Sequence, residues 1–375
     1  MMDNRRTESL RGFPDFRTGP ERAGISIEPK VPRLFEELVR DHYDTDRALE
    51  VFESLLLVAA SVPFTEDLNK HPVVLVQAAK ALIGLRPEKP SQRLMEFALK
   101  ICERYDYEAP DPALLQVGSD ELGELVTVHE LERALLGGDL PAAQKQAGRL
   151  LTVSDNRALL FDVLLDVAAR HPTAAGEIVP FVHTTQRAMD FVGTRNQADF
   201  LLPALEAAVG RMAKHGVGTP SEKSLTVWEA LPYLRETPLE VVTLAAHASQ
   251  IGEDGHVKGV SIQNGLERSL AALVEPLEKG NARQPKSRSG SAADMIAAVA
   301  AGETGKARAI GRYLGDQGER VWLLEVLEAV DTEQFTPELI LWADAFRMLY
   351  RNAKGQHYGL LGELAVEHFT ANNIG

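Results

Sequence analysis

Ala134-Leu135-Leu136-Gly137-Gly138-Asp139, followed by Ala147-Gly148-Arg149-Leu150-Leu151 and Asn156-Arg157-Ala158-Leu159-Leu160-Phe161-Asp162-Val163-Leu164-Leu165, is written twice in this chain. The second version reads Ala300-Ala301-Gly302-Glu303, then Ile310-Gly311-Arg312-Tyr313-Leu314, then Glu319-Arg320-Val321-Trp322-Leu323-Leu324-Glu325-Val326-Leu327. Gly148-Arg149 matches Gly311-Arg312, and Arg157 and Asp162 match Arg320 and Glu325 at the same offset. A unit repeated in this way is a helical pair or quartet that buries its apolar face against its neighbours. The expectation is an all-α fold: a tandem helical-repeat, α/α superhelix-like array of about four helix-bundle units.

Working outward, residues 1–30 hold Arg, Gly, Pro and Asp without periodicity and read as an extended arm. Residues 31–279 read as repeat units one to three. Leu34, Phe35, Leu38 and Val39 have helical spacing. His71-Pro72 opens a helix, because proline at the first helical position lacks only an N–H that would be unpaired anyway. Residues 280–292 are polar and carry Gly, Ser and Pro, the mark of a flexible linker. Residues 293–375 read as unit four, the counterpart of unit two. No pair of alternating runs joined by a hairpin signal suggests strands.

The 375 residues are 45% hydrophobic and carry a formal net charge of −14. That acidity disfavours phosphate backbones and anionic membrane surfaces as partners. The longest apolar run, Leu55 to Pro63, is well short of the roughly 20 residues that cross a bilayer. Cys102 is the only cysteine, so no intramolecular disulfide and no cysteine metal site can form, and a cytoplasmic location is expected.

Few motifs carry chemistry. Gly302-Glu303-Thr304-Gly305-Lys306 imitates a phosphate loop, but Ala300 and Ala307 occupy the positions that need Gly and Ser or Thr. It reads as a turn between helices. No nucleotide or dinucleotide motif is found, and the cofactor is left unknown. Histidine tracks the repeat: His71 starts a helix of unit one, His183 lies in the matching helix of unit two, and His256 precedes the helix of unit three with Gln263 and Asn264. Three converging imidazoles would suit zinc or iron with an open position. The plain alternative makes His71 a helix-start residue and His256 solvent-exposed. Arg157 with Asp162 and Arg320 with Glu325 are candidates for an acid–base set lining a cavity. Their alternative is a helix-start arginine reaching a neighbouring helix while the acid faces water.

His71-Pro72-Val73-Val74-Leu75-Val76-Gln77-Ala78-Ala79-Lys80-Ala81-Leu82, His183-Thr184-Thr185-Gln186-Arg187-Ala188-Met189 and Asp199-Phe200-Leu201-Leu202-Pro203-Ala204-Leu205-Glu206 share a pattern with known proteins. With the G-D-x-x-A-A turn, they resemble the all-helical repeat domains that accompany Rieske-type iron–sulfur domains in bacterial proteins. More distantly they resemble questin oxidase-like proteins, helical oxygenases acting on aromatic polyketides. The resemblance covers most of residues 45–275. It implies a helical fold and a pocket lined by His71, His183 and His256. The chain departs from both groups: one cysteine cannot supply a Rieske ligand set, and the paired-histidine motif of the oxidases is missing.

Three functions stay open on the sequence. The first is a non-catalytic helical-repeat module that binds a protein partner or a small apolar ligand in a groove, with neither nucleic acid nor membrane as partner. The second is a redox-linked or oxygenase-like enzyme with a histidine-lined cavity. The third is a structural subunit of a larger assembly.

Overall fold

The computed structural model describes residues 45–62, 67–105, 110–118, 122, 126–154, 158–193, 197–216, 218–252, 254, 256–274, 285–331 and 335–371. The expected arm at 1–30, residues 280–284 of the expected linker, and Arg157 lie outside them. Among the described residues all regular structure is helical, with sixteen α-helices and no strand. The packing is compatible with a helical-repeat array. The chain divides into two compact units, residues 1–157 with 184–210 and residues 158–183 with 211–375.

The first unit contains α1 (Thr45–Ala60), α2 (Pro72–Ile83), α3 (Gln92–Cys102), α4 (Val128–Gly137) and α5 (Leu140–Val153). Phe52, Leu55, Leu56, Leu75, Leu82 and Leu94 form much of the core of its first three helices. His71 is the N-cap of α2: its Nδ1 accepts from the Val73 N–H at 3.2 Å, and Nε2 reaches the Val62 carbonyl at 3.3 Å. Burial pushes the His71 pKa down to about 4, against the opposing pull of the Val62 hydrogen bond. The neutral ring is therefore the folded form, with one nitrogen donating and one accepting.

The second unit contains α6 (Ala158–Ala169), the first half of α7 (Pro172–Val192), the end of α8 (Gln197–His215), and then α9 (Val227–Ala230), α10 (Leu239–Ile251), α11 (Gly259–Val274), α12 (Ala292–Ala300), α13 (Thr304–Asp316), α14 (Val321–Ala329), α15 (Pro337–Asn352) and α16 (Gly355–Ala371). Helix starts follow local chemistry. Thr226 with Glu229 and Ser291 with Asp294 form capping boxes, and Thr336 caps α15 just before Pro337. α10 packs on α15, α6 on α11, and α13 on α16. Glu363 on α16 is fully buried and pairs with Arg235 at 3.1 Å, Arg308 at 3.3 Å and Arg312 at 2.5 Å. These guanidiniums supply the charge-bearing partners that a carboxylate this deep needs.

The two versions of the repeated sequence are built alike at their turns. Gly138 (φ 69°) and Gly302 (φ 70°) both adopt the left-handed conformation that glycine tolerates. Gly138 N donates to Leu135 O and Asp139 N to Ala134 O; Gly302 N donates to Val299 O and Glu303 N to Ala298 O. So Ala301–Glu303 form the turn between α12 and α13, and Thr304–Lys306 open α13. Downstream, Gly148 and Gly311 each accept a close neighbour. A Cβ on Gly148 would lie 2.6 Å from Leu115 O, and one on Gly311 would strike the Val366 side chain and lie 2.7 Å from Gly362 O.

Candidate metal centre

α6 is apolar on most of its surface, yet it carries Asp162 and Asp166 one turn apart, both buried. Residues four apart share a helix face, and here that face meets the start of α11. Gly265 permits the approach: a Cβ there would lie 3.0 Å from Ala169 Cβ. Ser269 Oγ adds a 2.6 Å bond to Ala169 O. Asp166 accepts from Ser261 Oγ at 2.6 Å and pairs with Lys258 Nζ at 3.1 Å. Asp162 accepts the Lys258 N–H at 3.1 Å through Oδ2, while its Oδ1 lies 2.7 Å from His256 Nδ1. Two buried carboxylates thus anchor the segment before α11.

Asp162 also decides what His256 offers. The Asp162 side chain has no solvent exposure and that of His256 has 4%. A carboxylate only accepts, so Nδ1 carries a proton; in the singly protonated ring the lone pair is then on Nε2. That Nε2 is buried and has no hydrogen-bond partner. A buried polar atom left unpaired costs about 1–3 kcal/mol and calls for an explanation.

The same place receives a histidine from α7. His183 follows Pro180 by three residues. Its Nε2 lies 3.1 Å from Asp254 Oδ2, and its Nδ1 lies 2.9 Å from Nδ1 of His247 on α10. The His183 ring stands edge-on to His247 at 5.1 Å and to His256 at 6.1 Å between centroids. One donor atom from each of His183, Asp254 and His256 falls within 4.8 Å of the others. Donors about 2.1 Å from one ion at the tetrahedral angle lie about 3.4 Å apart, so the set would contract by up to about 1.4 Å to hold an ion. Carboxylate-backed imidazole, as in Asp162–His256, is the usual outer support of a metal-ligating histidine.

A cleft of about 550 Å³ opens beside His256, lined also by Gly252, Val257, Lys258, Gln263 and Asn264. Gln263 donates through Nε2 to Glu267 at 3.3 Å, and its buried Oε1 has no partner. Val257 and Val260 stand at the rim, 65% and 80% exposed. The cleft therefore has an apolar lip, and among its lining residues His256 and Gln263 each carry a buried, unpartnered acceptor.

Of the residues singled out on sequence, His183, His256 and Asp162 come together in this cluster. His256 is buried rather than solvent-exposed, because Asp162 draws it inward. His71 belongs to the first unit and caps α2. Arg157 lies outside the described residues. Glu325 faces solvent, unlike its sequence counterpart Asp162. Arg320 is half-buried at the N-cap of α14. His247 and Asp254 escaped the sequence reading. The signal for His247 was a lone imidazole within the apolar run Leu244-Ala245-Ala246-His247-Ala248.

No family model, curated protein or solved structure matches the chain. No described helix is long and apolar enough to cross a membrane.

Proposed function

We propose that the second unit binds one divalent transition-metal ion through His183, Asp254 and His256, and that the protein is a metal-dependent enzyme acting on a small ligand in the adjoining cleft. The observation that carries this reading is the buried, unpartnered Nε2 of His256, whose lone pair is fixed by Asp162. Two imidazoles and one carboxylate leave positions free for substrate or water. This donor set serves both zinc hydrolysis and non-haem Fe(II) oxygen chemistry. Of the two, Fe(II) corresponds to the oxygenase-like reading of the sequence. The bound ion would supply Lewis acidity or oxygen activation.

The chain's own residues have definite tasks in this proposal. Asp162 holds His256 in the Nδ1–H tautomer. His183 changes tautomer on ligation: with Nε2 given to the ion, Nδ1 carries the proton and donates to His247 Nδ1. His247 then holds its own proton on Nε2. Gln263 Oε1 orients a ligand N–H or O–H, while Val257 and Val260 hold an apolar portion. The tandem helical repeat supplies the frame, and one buried cysteine fits a reducing, cytoplasmic setting.

The test is metal analysis and equilibrium dialysis of chelator-stripped protein with Zn²⁺, Co²⁺ and Fe²⁺ under anaerobic conditions. One ion per chain is expected, lost in His183→Ala, Asp254→Ala and His256→Ala, with the metal of tightest retention naming the chemistry. Folded protein that takes up no ion defeats the proposal. The exposed Val257 and Val260 then favour the second reading, a non-catalytic groove for a small apolar ligand or a protein partner.

A further inference from the structure

Three residues that line the cleft at the start of α11 have their donors tied to acids. Ser261 is exposed there, and its single hydroxyl proton goes to Asp166 Oδ1 at 2.6 Å. Gln263 Nε2 donates to Glu267 Oε1 at 3.3 Å. His256 Nδ1 lies 2.7 Å from Asp162 Oδ1. Carboxylates only accept, so each of these bonds has one sense. What the three residues have left is acceptors: the lone pairs of Ser261 Oγ, Gln263 Oε1 and, in the singly protonated ring, His256 Nε2. The last two have no hydrogen-bond partner. The wall beside Gln263 Oε1 is Gly252, where a Cβ would stand 3.3 Å from that oxygen and begin to cap it.

Charge around these acceptors is balanced. Asp162 and Asp166 are both buried. Against them stand Lys258, whose Nζ lies 3.1 Å from Asp166 Oδ2, and Arg170, whose Nη2 lies 3.3 Å from the same oxygen. The lining itself contains no carboxylate, and Lys258 is its one cation. A ligand carboxylate or phosphate would bring acceptors to acceptors, and an unmatched polar group in such a place is costly. A ligand ammonium could donate, but it would meet the charge of Lys258. An uncharged hydroxyl meets both conditions. It donates its proton and keeps lone pairs, with which the same oxygen can still reach the proposed ion.

We propose that the cleft selects small uncharged ligands bearing two or more hydroxyl groups, whose protons go to Ser261 Oγ and Gln263 Oε1 while the carbon skeleton lies on Val257 and Val260. Asp166 and Glu267 then act as positioning residues, fixing the sense of the hydrogen bonds that Ser261 and Gln263 offer, as Asp162 does for His256. The cleft's volume of about 550 Å³ suits a molecule of this size. This inference deepens the proposed function and rests on its reading of the cleft as the ligand's place; it does not need the ion.

The experiment is ligand-observed NMR titration of the full-length, chelator-stripped protein at constant ionic strength. The probes are hexane-1,2-diol, hexanoate and hexylammonium, which share a carbon skeleton and differ in donors and charge. The diol should saturate one site and bind about fivefold more tightly than either ion. Ser261→Ala and Gln263→Met should each weaken the diol by about 2–10-fold, the range of one hydrogen bond, and leave hexanoate unchanged. Circular dichroism checks the fold of each variant, and either one suffices if the other does not fold. Absence of saturable diol binding, equal or tighter binding of either ion, or undiminished diol binding in the folded variants overturns the inference. Because metal uptake is read separately by dialysis, those results leave the metal centre standing, and a protein that takes up no ion but prefers the diol fails only the metal reading.

Discussion

Replacing Asp162 by asparagine separates the roles of charge and shape at the centre of the second unit. Asp162 accepts from two different donors through two different oxygens, His256 Nδ1–H at 2.7 Å and the Lys258 N–H at 3.1 Å. Asparagine is nearly isosteric but has a single acceptor oxygen, and its NH₂ group can only donate. If the oxygen keeps Lys258, the amide donates toward His256 and drives the ring into the opposite tautomer, Nδ1 accepting and Nε2 protonated. If it keeps His256, the backbone N–H of Lys258 is stranded in a buried place. The second arrangement costs about 1–3 kcal/mol of stability. The first removes the lone pair that His256 presents, and disturbing such a supporting carboxylate lowers metal affinity by about 10–100-fold. The assay is competition for Zn²⁺ and Co²⁺ against a calibrated chelator dye. Nitrogen NMR of the imidazoles reports the tautomer of His256 directly. An Asp162→Asn protein that folds, binds metal within about twofold of the parent and keeps the Nδ1–H tautomer would refute the assignment of Asp162 as the residue that orients His256.

Three further outcomes follow from the packing. The folded-state pKa of His71, about 4, lies below the unfolded value near 6.5, so the unfolded chain takes up the proton first. Stability should therefore fall as pH drops through 6.5 toward 4, by about 2 kcal/mol between pH 7 and pH 5. Urea denaturation of the parent should show at least that slope, and His71→Asn, which keeps a capping oxygen but cannot titrate, should lose His71's share of it while the share of the other buried histidines, His171 and His368, remains. Gly311→Val would drive a branched side chain into Val366 and the Gly362 carbonyl. It should lower stability by several kcal/mol, roughly the upper range for core overpacking, while Gly305→Ala, with open space around it, should change little; thermal melts distinguish them. Cys102 is fully buried and its thiol is held far above the ordinary range by burial and by Glu103. It should resist a colourimetric thiol reagent in the native protein and react fully in denaturant, and rapid native labelling would contradict the packing of α1 and α3.

Helical periodicity, Pro-marked starts and the two Gly-Asp or Gly-Glu turns were legible because each is set by residues a few positions apart. The close approaches at Gly148 and Gly311 were legible for a similar reason, since a glycine inside a helical pattern needs a cause. The cluster was legible only in part. Repeat position groups His71 with His183 and His256, but a side chain's use depends on what packs against it. His71 precedes a proline and serves the helix start. Asp162 and Glu325 hold the same place in the repeated sequence, yet Asp162 is covered by the start of α11 while Glu325 faces water. His247 and Asp254 meet His183 across 64 and 71 positions of chain, a separation that no local pattern encodes.

The three donors of the cluster are held unequally. His183 and His256 are almost wholly covered, whereas the Asp254 side chain is 34% exposed on the short stretch that links α10 to α11. Lys258 and Ser261, tied to Asp162 and Asp166, pin the far end of that stretch whether or not an ion arrives. In the proposed metal site the two imidazoles would make a standing half-socket and the aspartate its latch. Uptake and escape of the ion would then be timed by one carboxylate swinging over a few residues, and the exchange rate would respond to changes flanking Asp254 far more than to changes in α7.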